Sequence, residues 1–390
     1  MTHHIPPKFI PPDYRQCTKT VMDNIQDPNI RFDENGVSNY WYDYQSMEQK
    51  QVFKGDAGIR KFNESIQQIK KAGEGKKYDC ILGVSGGVDS TYLAYISKQS
   101  GLRVLCVHFD NGWNSELAVK NIENIITKLG FDLETYVINW DEFRDIQLAY
   151  FKADVVDIEA ITDHAIFGTI HKIAADNNIK YILSGNNIVT ESLIPRYWIF
   201  NKADHVNIKG IHQRYGTVPL KTFPFYGTKA KHYYQKVKGI QTVDLLNCIP
   251  YVKSEVKKEI ADKLDWKDYG GKHYESVFTR FYQGFILPNK FGIDKRKAHL
   301  SNLICSGQIT REEALAELEL PMYDPDQLRE DKEYVLKKLG FSSADFSRYL
   351  ELPRREHSEF KTEQSLYNRY PFLKPLKPFG NWIKKKLINK

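Results

Sequence analysis

Between residues 56 and 245, short apolar runs alternate with stretches of helical period, and this alternation narrows the possible folds more than any other feature. Tyr78 to Val84 is the first apolar run, followed by a glycine-rich loop and a helix that Gly101 stops. Leu102 to Phe109 reads as a second buried strand. Ser115 can cap the next helix, in which Ala118, Ile122, Ile125, Ile126 and Leu129 share a face and Gly130 closes the end. Tyr136 to Trp140 is a third strand candidate, a helix is expected near Ala165 to Ala175, and Tyr181 to Ser184 is a fourth strand. Near-continuous apolar strands need cover on both faces, so the expected class is α/β with a doubly wound parallel sheet. Residues 1–55 read as a polar N-terminal arm, with a hairpin signature at Asp33-Glu34-Asn35-Gly36. Residues 246–390 read as a mainly helical C-terminal domain. There Val256, Ile260 and Leu264 share a face, and Thr310 to Glu313 forms a capping box.

Composition excludes several classes. A chain of 390 residues with 41% hydrophobic residues, 24 Tyr and 21 Phe can offset its chain entropy, so it is not a disordered protein. Five widely spaced cysteines, an odd number, read as reduced and mostly buried thiols. The opening MTHHIPPKFIPPDYRQ has proline where a signal peptide needs an apolar stretch, and no run reaches the ~18 apolar residues of a membrane span. A cytoplasmic location without membrane insertion is expected. The formal charge of +7 favours an anionic substrate, and the Lys384-Lys385-Lys386 run reads as a solvated tail or as a membrane-surface or nucleic-acid contact.

Ser85-Gly86-Gly87-Val88-Asp89-Ser90 sits at the first strand-to-helix turn. Open parallel sheets bind ligands beyond the carboxyl ends of their strands. Two glycines let the backbone approach a phosphate, the helix start supplies aimed N–H groups, the Ser85 and Ser90 hydroxyls add donors, and Asp89 can hold Mg²⁺. The loop has no lysine and fits neither GxxxxGK[ST] nor GxGxxG. Neutral donors on the β and γ phosphates with the α phosphate left open suit pyrophosphate as a leaving group. The expectation is attack at the α phosphorus of ATP, giving an adenylated substrate.

These residues resemble the PP-loop of the ATP pyrophosphatase superfamily, whose fold is adenine nucleotide alpha hydrolase-like. His108 to Ser115, Ser184 to Ser192 and Tyr269 to Ser276 further resemble the N-acetyl sugar amidotransferases of bacterial surface-polysaccharide (LPS O-antigen) synthesis. The resemblance runs from about Tyr14 to Leu318. It implies conversion of an acetamido group on a nucleotide-linked sugar into an acetamidino group through an O-adenylated imidate, with ATP and Mg²⁺ as cofactors. Thr2 stands where an N-terminal-nucleophile glutaminase needs cysteine, and no Gly-x-Cys-x-Gly elbow occurs. The resemblance therefore implies that a separate glutaminase subunit, with a cyclase-like companion, supplies ammonia.

Several positions are site candidates, each with a plainer reading beside it. Asp110 and Asn111 end the second strand, either contacting the nucleotide or forming an Asp-Asn-Gly turn. Asp163 and His164 precede a helix, as an active-site pair or as an N-cap and its neighbour. Asn186, Asn187 and Glu191 follow the fourth strand, either facing the N-acetyl group or making a turn. Lys272, His273, Glu275 and Arg280 follow two glycines, an arrangement fit for an anion. Lys295 and Arg296 either neutralise departing pyrophosphate or form a solvated basic turn.

The family's arm carries two C-x₂-C pairs that read as a zinc knuckle; here the positions are Cys17, Thr20, Ser38 and Trp41. A hydroxyl or an indole does not replace a thiolate, so no zinc is expected, and packing of Phe32, Tyr40, Trp41, Tyr42 and Tyr44 is expected to hold the arm. Two rival readings stay open. A tRNA-modifying PP-loop enzyme would be expected to carry a broader basic face than +7 provides, and a thiolase would need CxxC cysteines, which are absent. A nucleotide-binding protein without turnover fits the lost cysteines.

Overall fold

The structure is a computed structural model that describes residues 12–271 and 274–363. Lys272, His273 and the Lys384 to Lys386 run lie outside the described residues.

Five parallel strands form one sheet: β1 (Cys80–Gly83), β2 (Val104–Asp110), β3 (Asp132–Val137), β4 (Tyr181–Leu183) and β5 (Gln241–Val243), in the order β3-β2-β1-β4-β5. The chain leaves β1 toward β2 on one side and returns to β4 on the other, so β1 and β4 flank the topological switch point. Register runs from Cys80↔Val104 to Gly83↔Val107 between β1 and β2, and Ile81 faces Ile182 across β1 and β4.

Helices cover both faces. Leu82 and Cys106 pack on one side against Leu93 and Ala94 of Val88–Gln99 and against Ile122 and Ile125 of Glu116–Leu129. On the other side, Ile81, Leu105 and Val107 meet Ile170, Ile173 and Ala174 of the helix Ala160–Asp176. Ser115 accepts the Ala118 N–H as an N-cap, and Gly130 closes that helix in the left-handed conformation.

Three readings need adjustment. The third strand is β3 at 132–137, and Trp140 begins the helix Trp140–Lys152 instead of ending a strand. β3 is an edge strand exposed at nearly every residue, so it carries no apolar run to announce it. β5 is three residues long, and the alternation above did not extend to it. In the arm, the Asp33 to Gly36 turn forms, with the Asp33 carboxylate accepting from Asn35 and Val37, but only Phe32 and Ser38 bridge before the helix Asn39–Gln51 begins.

Tyr44 is buried and Tyr40 and Trp41 pack beside it, whereas Tyr42 is exposed and bonds Asp33 through its hydroxyl. The Cys17 sulfur accepts backbone N–H groups from Thr20 and Ser38. All five cysteines are buried and unpaired. The arm is knitted to the helical region by Val21 N–H on Ser301, by Arg311 on the Thr20 carbonyl, and by Lys297 on Asp23. In that region Thr310 and Glu313 form a reciprocal capping box, and Val256, Ile260 and Leu264 are buried on one face. Among the described residues, no helix is long and apolar enough to cross a membrane.

Candidate active site

A cavity of about 850 Å³ opens at the carboxyl edge of the sheet, lined by Ser85, His108, Asn111, Asn186, Glu191 and Glu275 among others. Gly86 is why the loop at its edge exists. Its φ is +81°, and a Cβ there would lie 2.7 Å from the Tyr269 hydroxyl and 2.9 Å from the Ala118 carbonyl. The Gly86 carbonyl accepts from Trp266 Nε1 at 2.8 Å and from the Tyr269 hydroxyl at 2.9 Å, so the helical region fixes the loop from outside. Gly87 is the N-cap of Val88–Gln99, which leaves the N–H groups of the first turn and the Ser85 and Ser90 hydroxyls at the loop. A glycine cradle at a helix start, with no backbone room for a side chain, fits a polyphosphate.

The motif segments converge on this loop. Asn114 bridges Ser276, the Ser115 N–H donates to the Glu275 carbonyl, and the Glu275 carboxylate lies 3.4 Å from where a Gly87 Cβ would be. His108 is locked between the Val84 carbonyl at 3.2 Å and Asn114 at 3.0 Å. Asn187 donates to Asp89 at 3.0 Å, and the Tyr251 hydroxyl donates to the same Asp89 oxygen. These bonds tie the loop across the switch point to β4 and to the segment after β5. Among the described residues, no group of three or more His, Cys, Asp or Glu gathers to hold a metal ion. A Mg²⁺ at Asp89 would thus need phosphate oxygens and water for most of its ligands.

Several candidates have structural duties. Asp110 accepts from the Gly112 N–H and from Asn114, the turn role, while Asn111 reaches the cavity. Asp163 and His164 lie inside the helix Ala160–Asp176, whose N-cap is Glu159. His164 is fully buried: its Nδ1 donates to the Lys202 carbonyl at 2.7 Å and its Nε2 accepts the Tyr226 N–H at 2.7 Å. Burial pushes its pKa down to about 4, and the acceptor role of Nε2 requires the neutral ring. It does not line the cavity. Asn187 is buried, capping the short turn Ile188–Glu191, so Asn186 is the exposed amide of the pair. Arg280 is a two-pronged partner of Asp331 at 2.6 and 2.9 Å. Arg296 is saturated by Asp294 and by the carbonyls of Glu317, Leu318 and Leu320, so it has no donors left for pyrophosphate.

A second set of groups, not singled out from the sequence, lines the same cavity: Asp157, Glu159, Lys202, Thr279 and Gln283, together with Asp163 and Lys295. Asp157 has φ +59°, held there by Phe200 N–H and Lys202 Nζ on its carboxylate and by its own N–H donating to the Tyr282 hydroxyl. Lys202 bridges Asp157 at 2.6 Å and Asp163 at 3.1 Å. Burial opposes its charge, but the two carboxylates outweigh burial and hold its pKa above the ordinary value. The one clue in the sequence was Asp154-Val155-Val156-Asp157-Ile158-Glu159, where acidic and apolar residues interleave without settling into a helix or strand period.

Two family models match the chain: queuosine biosynthesis protein QueC over residues 79–185, and LPS biosynthesis protein WbpG-like, C-terminal domain, over residues 275–374. The chain carries a QueC-like PP-loop module over residues 79–185. Its second module is WbpG-like. An uncharacterized protein of Methanocaldococcus jannaschii is 24% identical over 67% of this chain and 79% of its own length. A tRNA(Ile)-lysidine synthase of Chlamydia pneumoniae is 35% identical over 19% of this chain and 23% of its own length. The 7-cyano-7-deazaguanine synthase of Methanospirillum hungatei is 32% identical over 25% of this chain and 39% of its own. Among solved structures, NH3-dependent NAD synthetase from Campylobacter jejuni aligns with TM-score 0.32 and 12% identity, covering 80% of this chain and 98% of that one. NMN synthetase from Francisella tularensis aligns with TM-score 0.29 and 11% identity, covering 54% and 96%.

Proposed function

We propose that this PP-loop enzyme activates the acetamido group of a nucleotide-linked sugar with ATP and exchanges its oxygen for ammonia nitrogen, giving an acetamidino sugar for surface polysaccharide. The observation that carries the reading is the meeting of two modules on one cavity: a phosphate loop from the sheet, and Glu275 at the start of the WbpG-like segment. An amide carbon is a poor electrophile, and O-adenylation gives it a good leaving group. Ser85, Gly86, Gly87, Val88 and Ser90 would hold the phosphates, Asp89 a Mg²⁺ ion, and Asn111 the nucleotide. Mg²⁺ would offset charge on the departing pyrophosphate. Asn186, Glu191 and Glu275 face the same space. Lys272 and His273 are proposed beside them from the motif alone. Ammonia would come from a separate glutaminase subunit with its cyclase-like companion.

The test combines the protein with ATP, Mg²⁺, an ammonium salt and UDP- or CMP-linked N-acetyl sugars. AMP and pyrophosphate should form only with a sugar present, and mass spectrometry should show an imino group in place of an oxygen. ADP and orthophosphate as products would refute the reading.

A further inference from the structure

On the sheet face opposite the helix of the phosphate loop, the start of Ala160–Asp176 brings charges into the cavity that phosphate binding leaves unused. Lys202 is spent on Asp157 and Asp163. Glu159 is held differently, by neutral donors only: the Thr279 hydroxyl on one oxygen at 2.5 Å and the Gln283 amide on the other at 3.3 Å. Those two residues are one helical turn apart, so the carboxylate is clamped without a direct ion pair among the described residues. Lys295 also lines the cavity and forms no direct ion pair among the described residues; Glu159 is the carboxylate that attracts it most.

A ligand that satisfies both groups must donate to Glu159 and accept from Lys295. Phosphate offers only acceptors and would face Asp157, Glu159 and Asp163. A bare cation would face two lysines. A secondary amide presents one N–H and one C=O on a rigid plane, which is the required pair.

We propose that Glu159 and Lys295 bracket the reacting acetamido group, Glu159 accepting its N–H and Lys295 donating to its carbonyl oxygen. This rests on the amide-activating reading above. In the step that follows, the carbonyl oxygen forms a bond to the α phosphorus and the bond from that phosphorus to the bridging oxygen breaks. Pyrophosphate leaves with the electron pair. The amide N–H proton passes to Glu159 as C=N forms, and Lys295 stabilises the negative charge that gathers on oxygen while the proton departs. Glu159 is suited to this as a base, because burial raises its pKa and Lys295 only partly offsets that.

The experiment is acceptor-dependent exchange of labelled pyrophosphate into ATP, using the full chain and UDP- or CMP-linked N-acetyl sugars, with no ammonia present. Glu159→Gln should slow exchange at least about 100-fold with ATP binding unchanged, and Glu159→Asp should restore part of it. Wild-type exchange should fall as pH drops through the raised Glu159 pKa, and that acid limb should vanish from the residual activity of Glu159→Gln. Lys295→Met should also slow exchange without weakening ATP binding. Wild-type exchange that is untouched by Glu159→Gln, or slowed with its acid limb intact, would overturn this inference and leave the amide reading standing. A wild-type protein that exchanges with none of the sugars would instead bring down the amide reading itself.

Discussion

One end of the cavity is edged by a contiguous loop, Ser85 to Ser90, of which Ser85 lines the space; the other end is lined by Asp157, Glu159, Lys202, Thr279, Gln283 and Lys295, which only the finished fold brings together. The loop end works through backbone shape. Its positive φ, its N–H groups and its helix start carry no net charge to be neutralised. The Glu159 end works through charge and burial, with carboxylates and ammonium groups placed so that some are spent on each other and some are not. One end should be broken by a methyl group and the other by removing a charge.

The largest effect should come from Gly86→Ala. Both the φ of +81° and the 2.7 Å approach of the Tyr269 hydroxyl oppose a side chain, so the donors would be misplaced. AMP formation should fall on the order of 10³-fold in a pyrophosphate-release assay. Retention of activity within tenfold of wild type would show that loop shape is not what holds the phosphates. Lys202→Met is the matching probe of the other end. It strands Asp157, which is nearly buried, and should cost about 3 kcal/mol in urea unfolding. A loss below about 1 kcal/mol would mean that water already screens the cluster.

The smallest effect is one of pH and concerns His164, which supports the Lys202 backbone. The folded pKa of about 4 lies below the ordinary histidine value of 6.5, so its contribution is full above 6.5 and drains as pH falls toward 4. Between pH 6.5 and pH 5.5 that drain is about 1 kcal/mol, readable as a falling melting temperature. His164→Gln should flatten that part of the curve. An unchanged slope would mean that other groups set it.

The sheet was readable wherever a strand is buried on both faces, as in β1 and β2, whose residues are apolar in succession. It was misread at β3, which is exposed and polar, and missed at β5, where Gln241 and Thr242 are exposed and polar in contrast to the equally short but buried β4. The Ser85 to Ser90 loop stands out in the sequence because its residues are contiguous. The Glu159 cluster does not, because nothing near Glu159 in the chain announces Thr279 or Gln283. Arg280 and Arg296 show a related limit: sequence displays a charge, and only the fold shows that Asp331 or Asp294 has already claimed it. His164 was overread in another way, since its two ring nitrogens are occupied by main-chain groups that no local pattern reveals.

The anchoring of the Gly86 carbonyl has a consequence for synthesis. Its partners, Trp266 and Tyr269, emerge from the ribosome 180 and 183 residues after it. The anchor of the loop is therefore completed only after all five strands have been synthesised. Affinity for ATP should arrive late and in a single step, once the downstream indole and phenol have docked.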